Sequence, residues 1–212
     1  LVRMGLDYVD VFYSHRYDPE TPLEETMQAL VDIVRQGKAL YVGLSRYPAD
    51  KAEEAYRYLE ARDVHCLLYQ GRYNLFDRAP EEEGILGQAR AYGVGFIAFS
   101  PLAQGLLTSR YLQGVPEDSR MAQGRFLKRE VLTEAGLEKI KALDRVAAER
   151  GQTLAEMSLA WVLKDELVTS VIIGASSVAQ LEDNLKALRK VDFSREELDR
   201  IEAICHTPDG GQ

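Results

Sequence analysis

Tyr8-Val-Asp-Val-Phe-Tyr13 is a nearly continuous apolar run that breaks into Ser14-His15-Arg16, and the same pattern recurs four times along the chain. Ala39-Leu-Tyr-Val-Gly-Leu44 runs into Ser45-Arg46-Tyr47, and Val64-His-Cys-Leu-Leu-Tyr69 into Gln70. Val94-Gly-Phe-Ile-Ala-Phe99 meets Ser100-Pro101, and Ser170-Val-Ile-Ile173 meets Gly174-Ala-Ser-Ser177. Short apolar runs without alternation read as parallel strands buried on both faces. Onsets near 8, 39, 64 and 94 give the period of a βαβ unit. In such folds ligands and chemistry gather at the carboxyl ends of strands, so the five polar endings predict a single active face.

Helical patterns fill the spaces between the runs. Thr21-Pro22-Leu23-Glu24 reads as a capping box with proline at the first helical position, followed by Leu23, Met27, Leu30, Val31 and Val34 and a stop at Gly37. Further helices are expected over about 49–60, 81–92, 133–150, 153–164, 177–188 and 194–204, with Thr153…Glu156 and Ser194…Glu197 as capping boxes for two of them. Leu1-Val-Arg-Met before Gly5 reads as the last turn of a helix with a glycine stop, so the chain is treated as a fragment.

The 212 residues, 46% hydrophobic and 28% charged, suffice for one substantial core. No run approaches a membrane span, and no signal-peptide pattern opens the chain. The net charge of -8, with both signs mixed along the helices, argues against a nucleic-acid or anionic-membrane surface. Cys66 and Cys205 lack CxxC spacing and read as reduced packing thiols of a cytoplasmic protein. No HExxH, Ser-His-Asp spacing or metal-ligand cluster is present.

Three features carry chemistry. The segment 102–132 breaks the rhythm, and its Arg110, Arg120, Arg125 and Lys128 are either solvated loop charges or a flap over an anionic ligand. Gly174-Ala-Ser-Ser lies between a strand and a helix start, where free backbone N–H groups and the helix dipole favour an anion. A simple helix cap at Ser176 or Ser177 is the plainer reading. His15 follows a strand exit and precedes Asp18-Pro19, where an imidazole can donate to a carbonyl or share a proton with a phenol. Gly93-Val-Gly95 precedes its strand and is no dinucleotide fingerprint.

Ser-His-Arg-Tyr-Asp-Pro-Glu-Thr-Pro-Leu-Glu-Glu-Thr (14–26), Gly-Lys-Ala-Leu-Tyr-Val-Gly-Leu-Ser-Arg-Tyr (37–47), Ala-Phe-Ser-Pro-Leu-Ala-Gln-Gly (98–105) and Val-Ile-Ile-Gly-Ala-Ser-Ser (171–177) together resemble an aldo-keto reductase. With Gly-Val-Pro-Glu-Asp-Ser-Arg (114–120) and Arg-Phe-Leu-Lys (125–128) the chain looks most like the bacterial L-glyceraldehyde 3-phosphate reductase group, and next like the β-subunits of voltage-gated potassium channels. The resemblance implies a (β/α)8 TIM barrel, of which residues 1–212 form a single domain supplying about the last five βα units. It also implies NADPH-dependent reduction of small or phosphorylated aldehydes and ketones, a small-molecule carbonyl partner and a possible homo-oligomer. By the same resemblance, Ser45, Arg46 and Gln70 hold the nicotinamide. Ser100, Pro101, Leu102, Ala103 and Gln104, with Arg110, line the pyrophosphate, and Arg120 contributes from the flap. Gly174, Ser176, Gln180, Asp183 and Asn184 hold the adenosine half and its 2′-phosphate, the last three at i, i+3 and i+4 of one helix.

His15 matches the family's substrate-orienting histidine, where channel β-subunits carry Asn. The family's proton-donating Tyr, with its Lys and Asp, has no counterpart here. The 212-residue piece alone is therefore expected to be inactive, with unpaired strands at both edges of its sheet. Two other readings stand beside the reductase. One is a non-catalytic NADP(H)-binding regulator, and the other an open, five-stranded flavodoxin-like domain.

Overall fold

The computed structural model describes residues 1–109, 112 and 133–206. Its sheet has five strands in the order β1-β2-β3-β4-β5: β1 (Val9–Ser14), β2 (Ala39–Ser45), β3 (Cys66–Arg72), β4 (Gly95–Phe99) and β5 (Ser170–Ile172). The first four pair in parallel. Strand order follows chain order, as in a wound barrel segment. A flavodoxin-like sheet would place β2 outside β1, so that reading is set aside. β1 and β5 are the two ends of the sheet, as expected for part of a barrel.

The chain divides into two compact units. The first comprises Leu1–Arg72, Arg78–Phe99 and Leu167–Ser170. It holds β1 to β4 and the helices α1 (Leu23–Arg35), α2 (Ala49–Glu60), α3 (Ala79–Glu82) and α4 (Ile85–Ala91). Met27, Leu30 and Val31 of α1 and Ala52, Ala55, Tyr56 and Leu59 of α2 are buried, as are Val42, Leu44, Tyr69 and Phe96 of the sheet. Each fully buried aliphatic side chain contributes about 1.5–3 kcal/mol through the water it excludes. Gly71 is required here, because an added Cβ would meet the Phe96 ring at 2.6 Å.

The second unit comprises Tyr73–Asp77, Ser100–Glu166 and Val171–Gln212. Its described helices are α5 (Glu134–Glu149), α6 (Leu154–Val162), α7 (Val178–Leu185) and α8 (Arg195–Cys205). Every residue from Met157 to Val162 is buried, so α6 is a core helix without a solvent stripe. The Trp161 ring lies 5.4 Å from Tyr73. Both predicted capping boxes close: Thr153 with Glu156 and Ser194 with Glu197 exchange side-chain and backbone bonds.

Several local expectations need correction. Thr21 does not cap α1; its hydroxyl donates to the Asp18 carboxylate at 2.8 Å, and Pro22 stands at the cap. Asp18 accepts the Glu20 amide as well, so the turn before α1 is organised by Asp18 and not by Thr21. The helix expected over 81–92 is two helices, because Gly84 adopts a left-handed φ of 76° between them. Val64 and His65 precede β3, which runs on through Gln70 to Arg72. The helix expected over 177–188 ends at Leu185 and tightens into a 3-10 turn over Lys186–Arg189.

One buried cation ties α5 to α8. The Arg150 side chain is 1% exposed, pairs with Glu197 at 2.6 Å, donates to the carbonyl of Asp192 and stacks over Phe193. Burial alone would push the Glu197 carboxyl up, but the Ser194 amide and hydroxyl and the Arg150 guanidinium together hold it below the usual range. A group whose folded pKa is depressed stabilises the fold above its unfolded value and stops doing so as pH falls through the folded one. Glu197→Gln is therefore expected to cost about 3 kcal/mol at neutral pH. It should also flatten the loss of stability as pH drops below about 4.5, measured by urea unfolding across that range.

Candidate functional site

Strand register builds the site in the first unit. Tyr13 lies opposite Gly43, and Ser14 opposite Leu44, so the next residue, His15, continues toward Ser45. Ser45 in turn lies opposite Gln70. Side chains alternate across a strand with period two, which puts His15, Ser45 and Gln70 at equivalent steps of three neighbouring strands. A register shift between Val42 and Gly43, with Leu67 as the extra residue, precedes the Ser45–Gln70 step. Bulges of this kind re-aim side chains beside active sites. His15 is exposed, Ser45 is buried and Gln70 half-buried.

One step lower on the same face the Tyr13 ring lies across Gly43. A Cβ at Gly43 would stand 2.5–2.9 Å from three ring atoms of Tyr13. The absent side chain is what lets the aromatic ring floor the row that carries Ser45. Burial holds the Tyr13 phenol above its ordinary pKa, helped by the Cys66 sulfur. Cys66 itself is pushed up to about 12 by burial, which agrees with an inert packing thiol.

Backbone strain marks the exits. The non-glycine residues with positive φ among the described residues are Arg46 (55°), Asp63 (57°), Ser100 (53°), Ala103 (46°) and Gln104 (59°). Such conformations cost of order 1–3 kcal/mol each and concentrate at functional sites. Arg46 carries its guanidinium 5.3 Å from the Phe99 ring centroid. In the second unit the loop from Ser100 is held by Asn74, which is fully buried. Its Nδ2 donates to the Ser100 carbonyl at 3.0 Å, while its Oδ1 accepts the amides of Phe76 and Asp77. Sequence reading passed over Asn74. The signal available was an Asn two residues before Phe76, just past a strand, in position for an Asx turn. Pro101 and Ala103 are buried, and Leu102 and Gln104 half-buried.

The α7 residues divide. Ser177 is the N-cap, its hydroxyl accepting the Gln180 amide, and the Gln180 side-chain oxygen accepts from the Ser176 amide and hydroxyl. Capping thus engages Ser176, Ser177 and Gln180 together, the plainer of the two readings. Asp183 pairs with Lys186 at 2.6 Å. Gln180 and Asp183 are exposed whereas Asn184 is 6% exposed, so the three do not share one environment. An added Cβ at Gly174 would meet nothing within 4 Å. Arg110 and Arg120, like Arg125 and Lys128, lie outside the described residues.

Buried polar atoms are nearly always partnered. Asn184 Nδ2 and Gln104 Oε1 are buried without a hydrogen-bond partner among the described residues, and both belong to the set expected to hold NADPH. Asn184 Nδ2 calls for an acceptor and Gln104 Oε1 for a donor, which one ligand carrying both would supply. Tyr56 Oη and Gln88 Oε1, in α2 and α4, are likewise unpartnered and have no assigned role. Among the described residues no group of His, Cys, Asp or Glu could hold a metal ion, and no helix is long and apolar enough to cross a membrane.

Comparison with known proteins gives one family. The Aldo/keto reductase family matches residues 1–206. L-glyceraldehyde 3-phosphate reductase of Escherichia coli O157:H7 is 49% identical over 99% of this chain and 61% of its own length. A probable voltage-gated potassium channel subunit beta of Oryza sativa subsp. japonica is 38% identical over 98% of this chain and 65% of its own. A thermostable aldo-keto reductase, Tm1743, solved with the inhibitor epalrestat, superposes with a TM-score of 0.72 at 30% identity, covering 96% of this chain and 62% of that one. The chain thus spans about three-fifths of the length of the curated relatives it matches.

The Tyr13–Gly43 contact generates a direct test. Gly43→Ala is expected to cost about 1–3 kcal/mol by overpacking, and Tyr13→Leu in the same protein should return part of that loss. A double-mutant cycle by chemical denaturation measures the coupling, and strict additivity would show that the ring does not rest on Gly43.

Proposed function

The chain belongs to the aldo/keto reductase family, and from that premise we propose that the protein carrying it reduces aldehydes or ketones with NADPH. Its substrates are small or phosphorylated, such as L-glyceraldehyde 3-phosphate or methylglyoxal, and it works in the cytoplasm. The observation that carries the reading is the strain pattern. Of the non-glycine residues with left-handed φ among those described, Arg46, Ser100, Ala103 and Gln104 all belong to the set that the family resemblance assigns to the cofactor. Strain of this kind persists where a ligand site needs it.

In this proposal Ser45, Arg46 and Gln70 hold the nicotinamide amide, which needs both donors and acceptors. By the family resemblance, the Ser100–Gln104 segment and Arg110 line the pyrophosphate, and Arg120 is a basic contact. Gly174, Ser176, Gln180, Asp183 and Asn184 take the adenosine half, the Asn184 amide finding there the acceptor it lacks. The bound dinucleotide supplies hydride. His15 donates a hydrogen bond to the substrate carbonyl oxygen, orients it and stabilises the charge that develops there. The residues of this chain hold no counterpart to the family's proton-donating tyrosine, so the reaction is proposed for the whole protein and not for these 212 residues alone.

The identity to channel β-subunits supports a second reading, an NADP(H)-binding regulator without turnover. The two separate on His15. In the full-length protein His15→Asn is expected to lower kcat/KM for methylglyoxal by about 100-fold or more. The Kd for NADPH, read from its fluorescence, should stay within about twofold. A wild-type protein that binds NADPH tightly yet oxidises none with either substrate would favour the regulator.

A further inference from the structure

Tyr47 is 2% exposed although it follows the exposed Arg46. The left-handed turn at Arg46, with φ of 55°, sends one side chain outward over Phe99 and the next inward. Once inside, Tyr47 reaches the end of β1, the loop that follows it, and β3. Its Oη shares a hydrogen bond with Ser14 Oγ at 2.7 Å, at the end of β1. Its carbonyl accepts the Tyr69 hydroxyl at 2.7 Å, from β3. Its ring packs against Tyr17 at 5.6 Å, tilted by 60°.

Each contact borders a proposed site residue. His15 stands between Ser14 and Tyr17, Ser45-Arg46 directly precede Tyr47, and Gln70 directly follows Tyr69. Burial holds the Tyr47 phenol above its ordinary pKa, against the lowering effect of the Ser14 hydrogen bond. It therefore remains a neutral hydroxyl across the physiological range, and its bond to Ser14 does not switch with pH. A buried phenolic hydroxyl needs a partner, so the Tyr47–Ser14 bond fixes where the end of β1 lies relative to the end of β2.

We infer that Tyr47 is a positioning residue for His15: through its hydrogen bond to Ser14 it holds the imidazole in register with the side chains that take the nicotinamide. This rests on the reductase reading above. Tyr69, bonded to the Tyr47 carbonyl, does the corresponding work for Gln70. The phenol touches neither substrate nor cofactor and acts only through its neighbours.

The test uses Tyr47→Phe, Ser14→Ala and the double variant in the full-length protein. A displacement of about an ångström at a reacting group costs about 100-fold in rate, so each single variant should lose roughly 10- to 100-fold in kcat. The Kd for NADPH should change by less than about twofold. The double variant should be no slower than either single one, because both remove the same bond. In the free protein the imidazole signal of His15, assigned with His15→Asn, should shift in Tyr47→Phe and Ser14→Ala while those of His65 and His206 stay in place. Multiplying losses in the double variant, a kcat unchanged despite a lowered Tm, or an unmoved His15 signal would each overturn the inference. A wild-type protein that oxidises no NADPH would overturn the reductase reading instead, and the His15 signal would still decide whether Tyr47 holds it.

Discussion

Parallel pairing in register is the constraint on which the site depends. Tyr13 against Gly43 and Ser45 against Gln70 set the step at which polar residues leave the sheet. A one-residue slip in any pair would send the whole set to the other face. The pairing is fixed from the helix-covered side, where Val42, Leu44, Tyr69 and Phe96 are buried and a slip would expose them. Burial on one face thus locates the chemistry on the other. The glycines act at this level too, since Gly71 yields to Phe96 and Gly43 to Tyr13.

Strain is concentrated where the chain leaves the sheet. Arg46 and Ser100 each follow a strand and each take a left-handed φ, and both are held by buried polar contacts. The Arg46 turn is followed by Tyr47, tied to Ser14 and Tyr69; the Ser100 loop is tied by Asn74. The two arrangements solve one problem, holding a backbone in a conformation it would otherwise leave. The start of α7 carries no such strain: Ser177 is extended, and Ser176, Ser177 and Gln180 satisfy one another as a helix cap.

What could be read from the sequence follows from how local its cause is. Strand runs, the two capping boxes and the glycine stops are written in a few neighbouring residues, and the structure carries them. Thr21 differs from its reading because Pro22 takes the cap position and the Thr21 hydroxyl donates to Asp18 instead of accepting a helix amide, a bond visible only once the loop is folded. Gly84 split a helix because a glycine within an apolar-periodic stretch can be tolerated or can turn, and tertiary packing decides. The roles of Asn74 and Tyr47 were illegible for a different reason. Each depends on partners 22 to 33 positions away, and neither residue type announces such a long-range bond. The family resemblance groups Gln180, Asp183 and Asn184 of α7, and their spacing suggests one face, while the structure buries Asn184 and exposes Asp183.

In the proposed reaction the protein carrying this chain moves hydride from NADPH to a carbonyl carbon. The most direct measurement is isotopic: incubate the full-length protein with methylglyoxal and NADPH carrying deuterium at carbon 4 of the nicotinamide, and analyse the product by mass spectrometry. The reductase reading predicts an alcohol with deuterium on the former carbonyl carbon, formed about 100-fold more slowly when His15 is replaced by Asn. Recovery of unreacted methylglyoxal with labelled NADPH still bound would contradict it.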